Sequence, residues 1–208
     1  MSLAYAAQAS AALEQLGLSV ALLHLDQVSQ QAAAESWSYS HFLGYLLDGE
    51  LQERRRKTVA LNLQFAGFPV LKRLAEFDFA AQPSLDQRLI DELATGRFLS
   101  EGRNVIFLGP PGVGKTHLAT ALGHIAVRRR LSVHMARAGH LFKRLKAARL
   151  DNSTEAEMRR LTRVDLLILD DFALQAMDQT ETADFYELIV ERHHKTPTII
   201  TSNRDPSE

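Results

Sequence analysis

The chain has 208 residues, 46% of them hydrophobic, and a formal net charge of −1. That length suits one generous domain or a modest domain with an appendage, and the apolar content excludes wholesale disorder. The near-neutral charge excludes a global pull toward nucleic acid, and the lack of cysteine excludes disulfides and thiolate-bound metals, as expected of a cytoplasmic protein.

The N-terminus, Met1-Ser2-Leu3-Ala4-Tyr5, has no basic stretch ahead of an apolar run, so no signal peptide is read. No uncharged run approaches the roughly 20 residues of a membrane span, so no membrane association is expected. Leu13, Leu16, Val20 and Leu23 recur at three- and four-residue steps and predict helix, with a break at Gly17-Leu18-Ser19 and Ser19 as the next cap. Ser36–Ser40 reads as a junction, with Trp37 and Tyr39 as packing anchors. A longer helix is predicted from Ser40 toward Ala66. Glu50 with Arg54, and Glu53 with Lys57, are spaced to pair on its wet face. Gly67-Phe68-Pro69 ends it, and composition shifts across residues 68–83. Residues 1–68 are therefore expected to form a small all-helical domain that binds DNA or a partner, and residues 69–208 a second domain.

Phe77-Asp78-Phe79 opens a connector to Pro83, and Leu85, Leu89, Ile90 and Leu93 predict a short helix to Gly96. Four short apolar runs then alternate with helical stretches: Val105–Leu108, Val133–Ala136, Leu166–Leu169 and Thr198–Thr201. Strands apolar on both faces, separated by helices, predict an α/β fold with a parallel sheet covered by helices on both faces.

Gly109-Pro110-Pro111-Gly112-Val113-Gly114-Lys115-Thr116 fits G-x-x-x-x-G-K-[ST] at every fixed position, after a predicted strand and opening a predicted helix. Glycines let the backbone wrap closely around phosphate oxygens, and several N–H groups converge there at the positive end of the helix. ATP with Mg²⁺ is the expected ligand. Lys115 should reach the β- and γ-phosphates, and the Thr116 hydroxyl should face the metal. Asp170 and Asp171 close the Leu166–Leu169 run. Asp170 is expected to hold Mg²⁺, and Asp171 to orient and polarise the attacking water. Thr201-Ser202-Asn203 follows the last strand, where ligands of open α/β sheets bind. Asn203 is expected to contact the γ-phosphate or the attacking water.

Together these motifs resemble the AAA+ ATPases, and within them the IstB-like transposition helper ATPases and the related DnaC-like helicase loaders. The resemblance runs from about Phe77 to the C-terminus. It rests on residues 104–119, where His117 continues the Gly-Lys-Thr string, on Asp165–Phe172, and on Ile200-Thr201-Ser202-Asn203-Arg204. It implies a P-loop NTPase fold of the AAA+ type, with Lys115 and Thr116 as Walker A, Asp170 and Asp171 as Walker B and Asn203 as sensor 1. Phe77 would lie near the adenine or serve packing alone. The implied function is an ATPase that oligomerises on double-stranded DNA and regulates a transposase. The alternative is a loader for a replicative helicase. A small-molecule kinase also uses a P-loop, but has no use for Asn203. Two departures stand out. Asp171 replaces the more usual glutamate and is one methylene shorter. The family's fifth strand, arginine finger and sensor 2 would also lie beyond Glu208, so a shortened form that hydrolyses ATP slowly is expected.

Local basic clusters carry the nucleic-acid argument. Lys143, Arg144, Lys146 and Arg149 lie between the second and third strands, with no acid in sequence until Asp151, where the resembled family carries a DNA-contacting helical insertion. They are the first expected phosphate contacts, and Arg54, Arg55 and Lys57 the second. Arg128–Arg130 ends the P-loop helix, where cations suit the helix dipole.

Overall fold

The structure, a computed structural model, describes residues 2–174 and 176–204. Contacts divide the chain into two units, Met1–Thr58 and Val59–Glu208. The division falls inside the third helix, ahead of the 68–83 stretch where composition shifts.

The first unit holds α1 (Ser2–Gln15), α2 (Ser19–Ala34) and the first part of α3 (Tyr39–Phe65). Its core is Ala21, Leu25, Val28 and Leu46, flanked by Leu13, Leu18, Trp37 and Phe42. Leu16 and Leu23, two of the four recurring apolar residues, are exposed. Gly17 turns the chain through the left-handed region (φ 64°), so the helical phase restarts at α2 and one period does not carry across the break. Ser19 is the first helical residue and not the cap. The N-cap position falls on Leu18, which offers no side-chain acceptor. Glu50 takes over that role from α3, accepting the Val20 and Ala21 N–H groups at 2.8 and 3.4 Å. Glu50 is consequently buried, and Arg54 reaches it from outside at 3.2 Å. The other expected wet-face pair, Glu53–Lys57 at 3.7 Å, has an exposed lysine and a partly buried glutamate. Trp37 packs as expected, stacking on His41 at 4.1 Å between centroids, whereas Tyr39 is 94% exposed and anchors nothing.

The second unit takes the end of α3, a 3-10 turn at Leu74–Glu76, and then α4 (Gln87–Ala94), α5 (Arg97–Ser100), β1 (Val105–Leu108), α6 (Lys115–Arg128), β2 (Val133–Arg137), α7 (Ala138–Ala148), α8 (Thr154–Arg163), β3 (Leu166–Phe172), α9 (Gln179–Arg192) and β4 (Thr198–Ser202). All strand pairs are parallel, in the order β1-β4-β3-β2. The side chains of β3 alternate. Leu166 and Ile168 meet α6 through Ala119, Leu122 and Ala126, while Leu167 and Leu169 meet α7, α8 and α9 through Leu145, Leu161 and Leu188. Each face is thus covered by helices, which is why the two central strands are buried along their length up to Asp170 and Ser202. β1 departs from the expectation of burial on both faces. It ends the strand order, and Ile106 and Leu108 are exposed. α6 approaches β3 closely enough that a Cβ on Gly123 would lie 2.7 Å from the Ile168 side chain. No described helix is long and apolar enough to cross a membrane.

Arg192, at the end of α9, is 1% exposed. Its guanidinium donates to the carbonyls of Leu161 (2.7 Å), Val164 (2.9 Å) and Pro197 (2.6 Å) and to the Thr198 hydroxyl (3.0 Å). It therefore ties the end of α8 and the approach to β3 to the first residues of β4.

Candidate nucleotide site

The parallel arrangement brings the C-terminal ends of β1, β4, β3 and β2 to one edge of the sheet, where ligands of open α/β folds bind. β1 delivers the chain directly into Gly109–Gly114, and α6 starts at Lys115. Gly114 stands at φ 91°, a backbone that L side chains rarely adopt, and the Phe77 ring lies against it. A Cβ there would come within 2.5 Å of that ring. Phe77 also meets His117 edge-on (5.3 Å between centroids) and Phe79 (4.9 Å), while the His117 ring nitrogen is 2.9 Å from the Arg73 carbonyl oxygen. The 73–79 segment is thus held against the start of α6. Phe77 thus makes a packing contact with the last glycine of the loop, and His117 stands in the first turn of α6.

Lys115 folds back over the loop. Its ammonium donates to the carbonyls of Gly109 (2.7 Å) and Pro110 (2.8 Å). Burial pushes the Lys115 amine below its ordinary range, and the charges of Asp171 and Asp170 act the other way. A phosphate would offer the same ammonium stronger acceptors than two neutral carbonyls.

The two aspartates are adjacent in sequence and held differently. Asp170 is buried, and its Oδ1 accepts the Thr116 hydroxyl at 2.8 Å and the Thr201 hydroxyl at 2.6 Å. The Thr116 proton is committed to Asp170, so its oxygen lone pairs stay available to a cation. A hydroxyl and a carboxylate linked in this way are the hard oxygen donors that Mg²⁺ takes. Asp171 adopts φ 54° and faces Arg137 of β2 at 3.6 Å. Beside this pair lies a cleft of about 250 Å³ whose lining includes Arg137, His140, Lys143, Asp171 and Glu181. Asn203 lies one residue past β4 and is partly buried. Sequence reasoning gave no role to Thr201 or Arg137. A hydroxyl and a charge at the carboxyl ends of buried strands were the available signals.

The predicted DNA contacts look different in three dimensions. Arg144 meets Glu157 at 2.5 Å, Lys146 pairs with Asp178 and Glu181, and Arg149 makes a two-bond fork with Asp184 at 2.5 and 2.9 Å. Asp184 is 1% exposed. The acids come from α8, from α9 and from its N-cap Asp178, so a linear charge scan does not see them. Lys143 is exposed and makes no ion pair among the described residues. In the first unit Arg54 is held by Glu50 and Lys57 by Glu53, while Arg55 is exposed and makes no ion pair among the described residues.

A glycine-rich loop between β1 and α6, with a paired Thr116 and Asp170 beside it, on a parallel sheet covered on both faces, defines a P-loop ATP-binding protein of the AAA+ type. The chain belongs to the IstB-like ATP-binding protein family, whose model matches residues 11–208. Its relatives include the ATP-binding protein of insertion sequence IS5376 from Geobacillus stearothermophilus, 33% identical over 181 residues that cover 87% of this chain and 72% of the relative. Another is that of insertion sequence IS21 from Pseudomonas aeruginosa, 36% identical over 181 residues, covering 87% of this chain and 68% of the relative. Among solved structures the fold is similar to DnaI, with a TM-score of 0.55 and 26% identity over 64% of this chain and 73% of that one.

Proposed function

We propose that this chain is an ATPase that uses Mg·ATP to assemble on double-stranded DNA and to regulate the transposase of an insertion sequence. The observation that carries this reading is the Thr116–Asp170 hydrogen bond, which joins the P-loop helix to the strand-end acid and brings together two oxygen donors of the kind Mg²⁺ takes. The insertion-sequence context of the relatives supports a transposase as the partner, ahead of a replicative helicase.

In this reading Gly109–Gly114 wraps the phosphates with backbone N–H groups, and Lys115 leaves the Gly109 and Pro110 carbonyls for phosphate oxygens. Thr116 and Asp170 would hold Mg²⁺, which when bound would neutralise charge on the phosphate oxygens. Asp171 orients the attacking water, and Asn203 contacts that water or the γ-phosphate. Phe77 forms part of the base side of the site, since it packs on the loop's last glycine. DNA phosphates are contacted by Lys143 and Arg55. Arg144, Lys146, Arg149, Arg54 and Lys57 contribute only as far as their acid partners release them.

Sizing the protein with duplex DNA, with and without ATP and beside Lys115→Ala, tests the proposal. It predicts a larger DNA-bound assembly with ATP that Lys115→Ala cannot form. The same assembly size under all conditions would refute it.

A further inference from the structure

The register of β3 against β4 breaks at the acid pair. Leu169 is opposite Ile200 and Phe172 is opposite Ser202, so Asp170 and Asp171 together face the single residue Thr201. This is a β-bulge, a device that re-aims side chains at functional sites. Asp171 carries the cost of it in a left-handed conformation (φ 54°) that a non-glycine residue keeps only when its surroundings impose it. Thr201 touches both bulged residues. Its hydroxyl donates to Asp170 Oδ1 at 2.6 Å and accepts the Asp171 N–H at 3.1 Å. The side chain is 1% exposed, and a hydroxyl has one proton to give, so the direction of both bonds is settled. Next to it the Ser202 hydroxyl donates to the Phe172 carbonyl at 2.9 Å and closes the bulge.

We infer that Thr201 is a positioning residue for the Mg·ATP site. It acts through the two aspartates, turning the free oxygen of Asp170 toward the cation that Thr116 shares, and holding the backbone that presents Asp171. The inference rests on the proposed reading of the P-loop as a Mg·ATP site. β4 then contributes through Thr201, independently of Asn203.

Without Thr201's hydroxyl, Asp170 Oδ1 keeps only the Thr116 donor, and the part-buried Asp171 N–H loses its partner. Valine has the shape of threonine and lacks the hydroxyl. Calorimetric titration of ATP with and without Mg²⁺ into the wild type, Thr201→Val, Thr201→Ser and Lys115→Ala separates the possible roles. For Thr201→Val, the gain in ATP affinity that Mg²⁺ confers should shrink by about tenfold, with metal-free affinity unchanged. Thr201→Ser should keep the wild-type gain. In turnover, the Mg²⁺ concentration for half-maximal rate should rise in the valine variant and return in the serine variant. Thr201→Cys, with only a weak S–H donor, should behave like valine and replaces it should valine not fold. A wild-type response to Mg²⁺ in Thr201→Val or Thr201→Cys would overturn the inference and leave the site reading intact. An equal loss of affinity with and without Mg²⁺, not rescued by serine, would also overturn it, in favour of a packing role. A wild type whose ATP binding ignores both Mg²⁺ and Lys115→Ala would overturn the site reading and this inference with it.

Discussion

Replacing Arg192 with methionine keeps an unbranched apolar stem and removes every donor. Four acceptors within 3.0 Å then lose their partner: the carbonyls of Leu161, Val164 and Pro197 and the Thr198 hydroxyl. A hydrogen bond from a charged donor contributes about 1.5–3 kcal/mol net, so four sum to about 6–12 kcal/mol before the guanidinium's own burial is counted. That burial costs several kcal/mol, and methionine is spared it. It also pushes the Arg192 guanidinium down to about 10, with Asp165 pulling the other way, so the group is still charged at neutral pH. The expected balance is about 3 kcal/mol of destabilisation, or roughly 6–12 °C in Tm for a chain of this size. Arg192→Lys should recover part of it, because one ammonium cannot span four acceptors in a planar fork. Urea unfolding should be followed by far-UV circular dichroism, since the only tryptophan, Trp37, lies in the helical unit. A methionine variant within about 0.5 kcal/mol of wild type would refute the idea that this clamp sets the start of β4.

Gly114→Ala should weaken ATP binding at least tenfold by calorimetry, because the new methyl group meets the Phe77 ring at 2.5 Å on a backbone strained by about 1–2 kcal/mol. Unchanged affinity would mean the 73–79 segment yields freely. Arg149→Ala should lower stability by about 2 kcal/mol, since Asp184 is left buried without its partner. Lys143→Ala should leave stability unchanged and weaken duplex binding with a smaller salt slope. The opposite pattern in melting and salt-titration experiments would make Arg149 the phosphate contact. His134 is held down to about 4, chiefly by burial and then by Arg160 and Arg144, with Glu157 opposing. Its unfolded form takes up a proton near pH 6.5 and its folded form only near pH 4, so stability is full above 6.5 and falls between 6.5 and 4. After discount for partial exposure the loss is about 2 kcal/mol. His134→Asn should flatten the pH profile of Tm over that interval, and an unchanged slope would refute the assignment.

The loop and the strands were legible because their signals are local. Gly109–Thr116 is one contiguous string, and each buried strand is one apolar run bounded by turns. Relations across long sequence separations were not legible. Glu50 caps α2 from 30 residues away, and Thr201 reaches Asp170 across 31. Likewise Asp184 neutralises Arg149 from 35 residues downstream. A charge scan along the chain counts Lys146 and Arg149 as free cations because their acids belong to another helix. The bulge leaves no pattern either, since one extra residue in β3 shows only when β4 lies beside it.

Asp170 and Asp171 have the same side chain and nearly the same address, so the separate roles proposed for them rest on what each one faces. Asp170 receives two hydroxyl protons, one from the P-loop helix and one from β4, and both fall on the same oxygen. Asp171 receives no such bond on its carboxylate among the described residues and instead faces the Arg137 guanidinium at 3.6 Å, on the side of the cleft that holds Lys143. Replacement by asparagine removes the charge of either one while keeping its shape. In Asp170→Asn, one carboxylate oxygen becomes an amide donor, so the Mg²⁺-dependent part of ATP affinity should fall by at least tenfold. In Asp171→Asn the two hydroxyls and Asp170 are untouched, so Mg·ATP should bind as in the wild type while turnover drops a hundredfold or more, as for a lost water-orienting base. Calorimetry and phosphate release, measured on the same preparations, give both numbers. Equal losses of Mg²⁺-dependent affinity in the two variants would mean that the bulge does not separate the two carboxylates, and that Arg137 rather than the fold decides which one is free.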